Sequence, residues 1–575
     1  MQKTPAGWIR FCRGFFLLIV LSFIFNSTVS DAQGQSSPAL LTYDELVQLY
    51  EQPLPAEPLQ RKLTALLNTP FVSNAASQKG VKPLKPQSPV LGPFLRVAFW
   101  NIERGLQYDA VAGALGGTRD YTAMLLRTKL AHSSSTRAAV VKEAALLSRA
   151  DVIVLNEVDW GMKRTDYRNV IADLAGALRM NYAFGVEFVE VDPIALGLEK
   201  FEGIKDGDEE LVRDTKVDPA KYKGLYGTAI LSRYRLENVQ LIPLQFQGHD
   251  WYEDEKKSVA PIEKGKRQVA EQVFLEKIYR QVRRGGRMML QADIVDAELP
   301  QGRVTMVATH LEDRTTPKNR EKQLKELLER IKNISSPVVL TGDMNSSGED
   351  ATPTSLTREV TKRLGSKSFW IHRGIGYALG VGIIKDVLIG GVKFVRNQAD
   401  PTVKHVPIVA PNPAAGFFET LKDFRFSDGG AFDFRGEPGR SIGDSSETLG
   451  NSNERGPKGF VTTFEVERKV ASIGKFKLDW FFVKPPALTD SSEKGQPHLF
   501  APHFGRTLKP LNYSIEQRIS DHSPITVDLP LQEGSRGFAR ESGRSDAINP
   551  HRTRSDSEGV LKQRSSKSKK FGFSS

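Results

Sequence analysis

The chain has 575 residues, 80 of them Lys or Arg against 68 Asp or Glu, for a formal charge of +12. It is long enough to bury a large core in two to four domains, and its mild basicity would help an anionic substrate approach without identifying one. The single cysteine, Cys12, lies in a segment expected to be removed. Disulfides, zinc–thiolate sites and cysteine nucleophiles are therefore excluded from the mature chain.

Lys3, Arg10 and Arg13 precede the apolar run Phe15 to Phe25, and Ser30-Asp31-Ala32 follows it. This is the order of a secretory signal peptide over residues 1–32, too short to span a bilayer, with cleavage expected after Ala32. An uncleaved anchor helix is the alternative. Cys12 comes before the apolar run, which argues against lipid attachment, and an exported thiol-free chain points to the periplasm or the medium. Residues 33–93 are rich in Pro, Ser, Gln and Ala, with a helical patch around Tyr43 to Leu67. They read as a leader or wrap-around segment.

LRVAFWNIERG (95–105) predicts a strand that runs out at Asn101. Thr136 to Ala150 has helical spacing and leads into DVIVLNEVD, a buried strand ending at Asn156 and Glu157. YGTAILSRY (226–234) and RVTMVATHLED (303–313) are strand-like. Leu324, Leu327, Leu328 and Ile331 recur at helical spacing within Lys318 to Ile331. The strand of Ser336 to Ser347 follows, and FKLDWFFV (476–483) and ISDHSPITVDL (519–529) close the series. Helices alternating with strands predict an α/β domain, and the strength of the apolar runs predicts sheets covered on both faces.

Three segments interrupt this rhythm, at about 190–224, 248–284 and 348–470. The last contains the apolar, glycine-rich stretch Phe369 to Phe394, whose Arg373, Lys385 and Asp386 argue against a membrane span. Residues 531–575 are rich in Ser, Gly and charge and read as a disordered basic tail. The main domain is expected over 94–530.

SPVVLTGDMNSS (336–347) carries the clearest chemical signal. A buried strand ends by delivering Asp343 and Asn345 one residue apart, which period-two alternation would face the same way. Polar residues collect at other apolar runs too: Asn101, Glu157, His310, Asp479, Asp521 and His522. Together they offer hard oxygen ligands for magnesium and the acids and bases that in-line attack on phosphorus needs.

The ordered series N-I-E-R-G, L-N-E-V, A-T-H-L, T-G-D-M-N, L-D-W and S-D-H resembles the endonuclease/exonuclease/phosphatase superfamily over roughly residues 94–530. That resemblance implies a four-layer sandwich of two packed mixed β-sheets flanked by helices, with long insertions and the site at the strand ends. It implies a divalent-metal-dependent phosphoesterase using Mg2+, with Mn2+ as an alternative ion. Glu157, Asn101 and Asp521 are then the expected metal-side residues. His310 would contact the scissile phosphate and protonate the leaving group. Asp343 and Asn345 would position the attacking water, and Asp479 would orient His522. Asn101, Asn345 and His310 would touch substrate, while Asp343 and His522 compete for the general-base role. Glu103 stands where some relatives carry a second carboxylate, and Arg320 and Gln323 read as structural.

The substrate class stays open between nucleic acid, phospholipid and inositol phosphate, and no protein partner is inferable. Arg283-Arg284-Gly285-Gly286-Arg287 and the basic tail are compatible with a nuclease groove. The apolar stretch 369–394 is compatible with a lipid surface. A nuclease or phosphodiesterase is slightly favoured. A binding protein on the same fold that has lost catalysis is the alternative from another class.

Overall fold

The computed structural model describes residues 37–125, 134–198, 217–256, 281–347, 414–434, 451–456, 459–470, 473–486, 498–515 and 518–532, with the short pairs 395–396 and 407–408. The signal peptide, the basic tail and the apolar stretch 369–394 lie outside the described residues, apart from residues 531 and 532. Among the described residues, no helix is long and apolar enough to cross a membrane.

Two mixed sheets form the centre. Their strands are β1 (Phe71–Ser73), β2 (Gln87–Ser88), β3 (Gly92–Arg104), β4 (Val152–Trp160), β5 (Asn181–Glu190), β6 (Leu225–Ser232) and β7 (Arg235–Pro243). There follow β8 (Arg283–Gly285), β9 (Met288–Val295), β10 (Arg303–His310), β11 (Val338–Asp343), β12 (Asp479–Lys484), β13 (His503–Thr507) and β14 (Ile525–Pro530). The nine-stranded sheet runs β1-β5-β6-β4-β3-β14-β13, with β2 on β3 and β8 on β5. The five-stranded sheet runs β12-β11-β10-β9-β7. β3 and β4 are parallel, as are β10 and β11, and the other pairings in these sheets are antiparallel.

Strand alternation produces the layers. In β3, Leu95, Val97 and Phe99 face the core between the sheets, whereas Ala98, Trp100 and Ile102 face the outer helices. Val152 and Val154 of β4 also point between the sheets, and Ile153 and Leu155 point outward. Because the side-chain period is two, one strand of apolar residues serves two cores.

The outer core of the large sheet is covered by α1 (Tyr43–Glu51), α2 (Glu57–Asn68), α3 (Tyr108–Gly116), α4 (Thr118–Leu125), α5 (Ser134–Leu147) and α6 (Val170–Leu178). The smaller sheet is covered by α7 (Pro317–Ile331) and α8 (Ala415–Asp423). Helix α7 starts where the Thr316 hydroxyl accepts the Asn319 N–H and Pro317 presets the first turn. Its Leu324, Leu327, Leu328 and Ile331 are all buried, each contributing roughly 1.5–3 kcal/mol by leaving water.

Expectation and structure differ at several places. The helical patch near residues 43–67 is two helices, separated by a stretch containing Pro53 and Pro55, which disfavour a continuous helix. Both pack into the outer core through Leu46, Leu49, Leu59, Leu63 and Leu66. β3 continues past Asn101 to Arg104 through a bulge. The strand after Ser-Asp-His begins only at Ile525, so that motif sits on the connection before β14. Trp251 and Tyr252, inside the charged segment 248–284, are buried in the outer core.

Candidate active site

The inter-sheet core turns polar at one end of the sandwich. On β10, Val304, Met306 and Ala308 point into that core, and the same alternation brings His310 next. Asn101 follows Phe99, and Asn156 follows Val154. In β11, Asp343 lies two strand repeats beyond inward Val339. Asp479 belongs to the inward series of Phe481 and Val483, but at the start of β12. Antiparallel pairing sets it directly opposite Asp343. The chemistry therefore grows out of the packing pattern: apolar side chains fill the middle of the slot and polar ones line its mouth.

Glu157 should point the other way, toward the outer helices, because it follows inward Asn156. A register shift between Leu155 and Val158, together with a φ of +55° at Glu157, turns it round. The facing bulge in β3 puts Glu103 and Arg104 at φ +47° and +66°. Positive φ at a non-glycine residue persists only where the surrounding structure enforces it, and bulges redirect side chains beside active sites. The Asn101 amide then donates to Glu157 Oε1 at 3.1 Å and to Asp343 Oδ2 at 3.3 Å, joining both sheets. The Asp343 backbone N–H donates to Asn156 Oδ1 at 2.9 Å.

His522 lies between two carboxylates. Its Nδ1 is 2.9 Å from Asp479 Oδ2, and its Nε2 is 3.5 Å from Asp343 Oδ2. Burial opposes charge on the ring, but Asp479, then Asp343, outweigh it and hold the imidazolium well above its ordinary range. Burial pushes the Asp343 carboxyl up to about 7 even with the His522 cation opposing it. Asp343, Asp479 and His522 offer ligand atoms within 4.8 Å of one another. They nevertheless suit proton handling better than chelation, because the two ring nitrogens point in opposite directions and each already meets a carboxylate.

His310 sits 3.7 Å from Asp343 Oδ2 through Nε2 and 3.8 Å from Glu187 Oε2 through Nδ1. Burial first, then the Arg287 cation, keep its imidazole neutral, well below the usual range. Glu187 begins a buried network that sequence reasoning missed. It accepts from Thr228 at 2.5 Å and from Arg287 at 3.0 Å, and Thr228 accepts from Asn156 at 2.6 Å. Arg287 also reaches Glu312 at 3.3 Å and Asp313 at 3.0 Å. A lone Glu in the apolar run YAFGVEFV was the signal that could have found it, since an isolated buried carboxylate needs a cation.

Asn345 is placed differently from the strand-alternation expectation. β11 ends at Asp343, and Asn345 has a φ of +47°. Its backbone N–H donates to Asp343 Oδ1, and its side-chain amide donates to the Leu311 carbonyl, each at 2.9 Å. Asp521 lies on the other flank, where its backbone N–H donates to Glu103 Oε2 at 3.0 Å. Arg320 and Gln323 bind backbone carbonyls of Glu312, Thr315, Phe246 and Gln247. The basic run 283–287 is not an open groove. Arg283 and Arg287 are buried, and Arg284 caps the carbonyls of Leu49, Gln52 and Pro53.

The residues that could hold a hard cation are Glu157, Asn101, Glu103 and Asp521. Burial, followed by the charges of Asp521 and, more weakly, Glu157, pushes Glu103 up to about 8. Three carboxylates and an amide oxygen form an all-oxygen donor set suited to magnesium-type ions.

Fold and site together define a four-layer α/β sandwich with an acid- and histidine-rich mouth between its sheets. The model of the Endonuclease/Exonuclease/phosphatase family matches residues 98–522. The chain belongs to that family, whose members are phosphoesterase hydrolases. Similar solved structures include an endonuclease/exonuclease/phosphatase from Beutenbergia cavernae (15% identity, 76% of this chain and 71% of that one, TM-score 0.33). Others are a 3'-5' exonuclease from Neisseria meningitidis (12% identity, 76% and 99%, TM-score 0.33) and an AP endonuclease from Archaeoglobus fulgidus (12% identity, 76% and 99%, TM-score 0.32). No curated protein matches the chain.

Proposed function

We propose that this chain is an exported, divalent-metal-dependent phosphoesterase that cleaves phosphate esters by in-line attack of water, with phosphodiesters such as nucleic acid favoured. The observation that carries this reading is the Asp479–His522–Asp343 array, linked through Asn101 to Glu157. Export rests on the signal-like order of residues 1–32, and 94–530 is taken as the catalytic domain.

The electrostatics divide the roles. With its imidazolium held well above the ordinary range by Asp479 and Asp343, His522 is poorly suited to be the base and instead binds and neutralises a phosphoryl oxygen. Asp343, ionised above about pH 7, takes the proton from the attacking water, which Asn345 helps to position. Neutral His310 offers an N–H to the phosphate or the leaving oxygen. Asp479 holds the His522 ring and its charge. Magnesium or manganese held by Glu157 and Asn101, with Asp521 and Glu103 beside them, would supply the remaining charge neutralisation.

The test uses the purified mature chain with magnesium against plasmid DNA, RNA, sphingomyelin and inositol phosphates. Asp343→Asn and His522→Ala should each lower turnover at least 100-fold while keeping the fold. Magnesium should raise the melting temperature of the wild type but not of Glu157→Gln. A lipid-only profile would overturn the phosphodiester preference, and turnover unchanged in both variants would remove the proposed mechanism.

A further inference from the structure

His522 takes no support from the ladders of β14, which begin only at Ile525. It is paired instead with a stretch from another part of the chain, Thr463 to Glu465, through an antiparallel bridge between Phe464 and His522. The Ser523 N–H donates to the Thr463 carbonyl at 2.8 Å, and the Glu465 N–H donates to the Asp521 carbonyl at 3.1 Å. One short run of chain thus holds the backbone on both sides of the histidine.

The same run reaches the histidine's partner. Thr463 is fully buried. Its hydroxyl oxygen accepts the Leu478 N–H at 3.1 Å and the Asp479 N–H at 3.3 Å, and its own N–H donates to the Phe476 carbonyl at 2.9 Å. A hydroxyl oxygen carries two lone pairs, so it can accept both donors. Thr463 therefore grips the backbone of Asp479 with its side chain and the backbone of Ser523, next to His522, with its carbonyl. Phe464 adds a ring contact: its half-buried side chain lies 4.9 Å from the His522 ring, centroid to centroid, at 53°. Aromatic rings pack favourably at that distance. Beyond it, the Glu465 carboxylate accepts from Lys509 Nζ at 2.8 Å and anchors the far end of the run.

We propose that Thr463 and Phe464 are positioning residues for the phosphoester reaction. Thr463 sets the backbone of Asp479 against that of His522, and Phe464 fixes the plane of the imidazole. This role rests on the phosphoesterase reading, in which Asp479 holds the His522 ring at the phosphate. Neither residue touches the reacting atoms. Both matter because Asp479 and His522 belong to different sheets, with no ladder between β12 and β14 to fix their spacing. A misplacement of about 1 Å in such a group costs on the order of 100-fold in rate.

The test follows hydrolysis of bis(4-nitrophenyl) phosphate by the mature chain with magnesium. Alongside it, the downfield Nδ1 proton resonance of His522 reports the bond to Asp479 without turnover. Thr463→Val keeps the shape of the side chain and removes the acceptor. It should lower kcat about 10- to 100-fold while KM stays within about twofold, and it should shift or broaden the resonance. Thr463→Ser, which keeps the hydroxyl, should bring kcat back to within about threefold of the wild type. Phe464→Leu should lower kcat in the same way and Phe464→Tyr should restore it; if Thr463→Val does not fold, this second pair decides. A kcat within about twofold of the wild type in Thr463→Val, or a loss carried by KM alone, overturns the role, as does a Thr463→Ser variant as slow as Thr463→Val. If the wild type hydrolyses no phosphoester but the resonance still depends on Thr463, the hydrolase reading fails and the positioning of the pair stands. A resonance unmoved in Thr463→Val removes the positioning role even in an active enzyme.

Discussion

Asp479 and His522 are carried by different sheets, the first on a strand and the second just before one, and their side chains meet at 2.9 Å between Oδ2 and Nδ1. Asp479 opens β12 of the smaller sheet, while His522 precedes β14 of the larger one. The bond therefore ties the two sheets together beside the mouth of the sandwich. It also decides the charge of the imidazole, since Asp479 is the largest influence favouring the protonated ring.

Asp479→Asn should accordingly lower the His522 pKa and reduce kcat by about 100- to 1,000-fold, because a neutral amide cannot sustain the imidazolium. A histidine NMR titration of the variant against the wild type checks this. A His522 titration unmoved by the substitution would sever the link.

Asp343 bears on stability as well as turnover. Its folded pKa, about 7, lies above the ordinary carboxylate value of 3.8. Between those values the folded state keeps a proton that the unfolded chain has lost, so stability falls as pH rises through the window. Asp343→Asn should match the wild type near pH 4 and exceed it by about 2–4 kcal/mol at pH 8 without metal. Urea denaturation at the two pH values measures this, and activity on the wild type should rise with pH toward the same limb.

Arg287 neutralises Glu187 and Glu312 inside the protein. Removing it in Arg287→Ala strands those carboxylates and should cost about 3–5 kcal/mol. The His310 pKa should rise at the same time, since Arg287 is one of the causes holding it down. A loss below about 1 kcal/mol in chemical denaturation would mean that the network is already compensated elsewhere.

Gly342 lets β11 approach β10 immediately before Asp343. A Cβ there would lie 1.9 Å from the Thr309 carbonyl oxygen. Gly342→Ala should destabilise the fold by about 1–3 kcal/mol and displace Asp343, so activity should fall more than stability explains. Comparing kcat with the melting temperature of the variant separates the two effects.

The alternation of helices with the strongly apolar strands β3, β4, β10 and β11 made an α/β domain with covered sheets legible, because burial on both faces leaves a near-continuous apolar imprint in the chain; the four-layer sandwich was what the family resemblance implied. The same imprint exposed Asn101, His310 and Asp343, which interrupt apolar runs where a polar group has no structural excuse. Residues 181–190 escaped notice, and with them Glu187, because the cation that its buried carboxylate needs, Arg287, lies 100 residues further along the chain.

What the amino-acid order determined by itself was which residues stand at strand ends and which family pattern they spell. Tertiary structure decided the rest: the bulges that turn Glu157 toward Asn101 and Glu103 toward Asp521, the left-handed turn that sends Asn345 to Leu311, the Asp479 and Asp343 carboxylates that charge His522 against its burial, and the burial that keeps His310 neutral. Bulge geometry and local dielectric depend on neighbours distant in sequence, so neither can be written in a local motif.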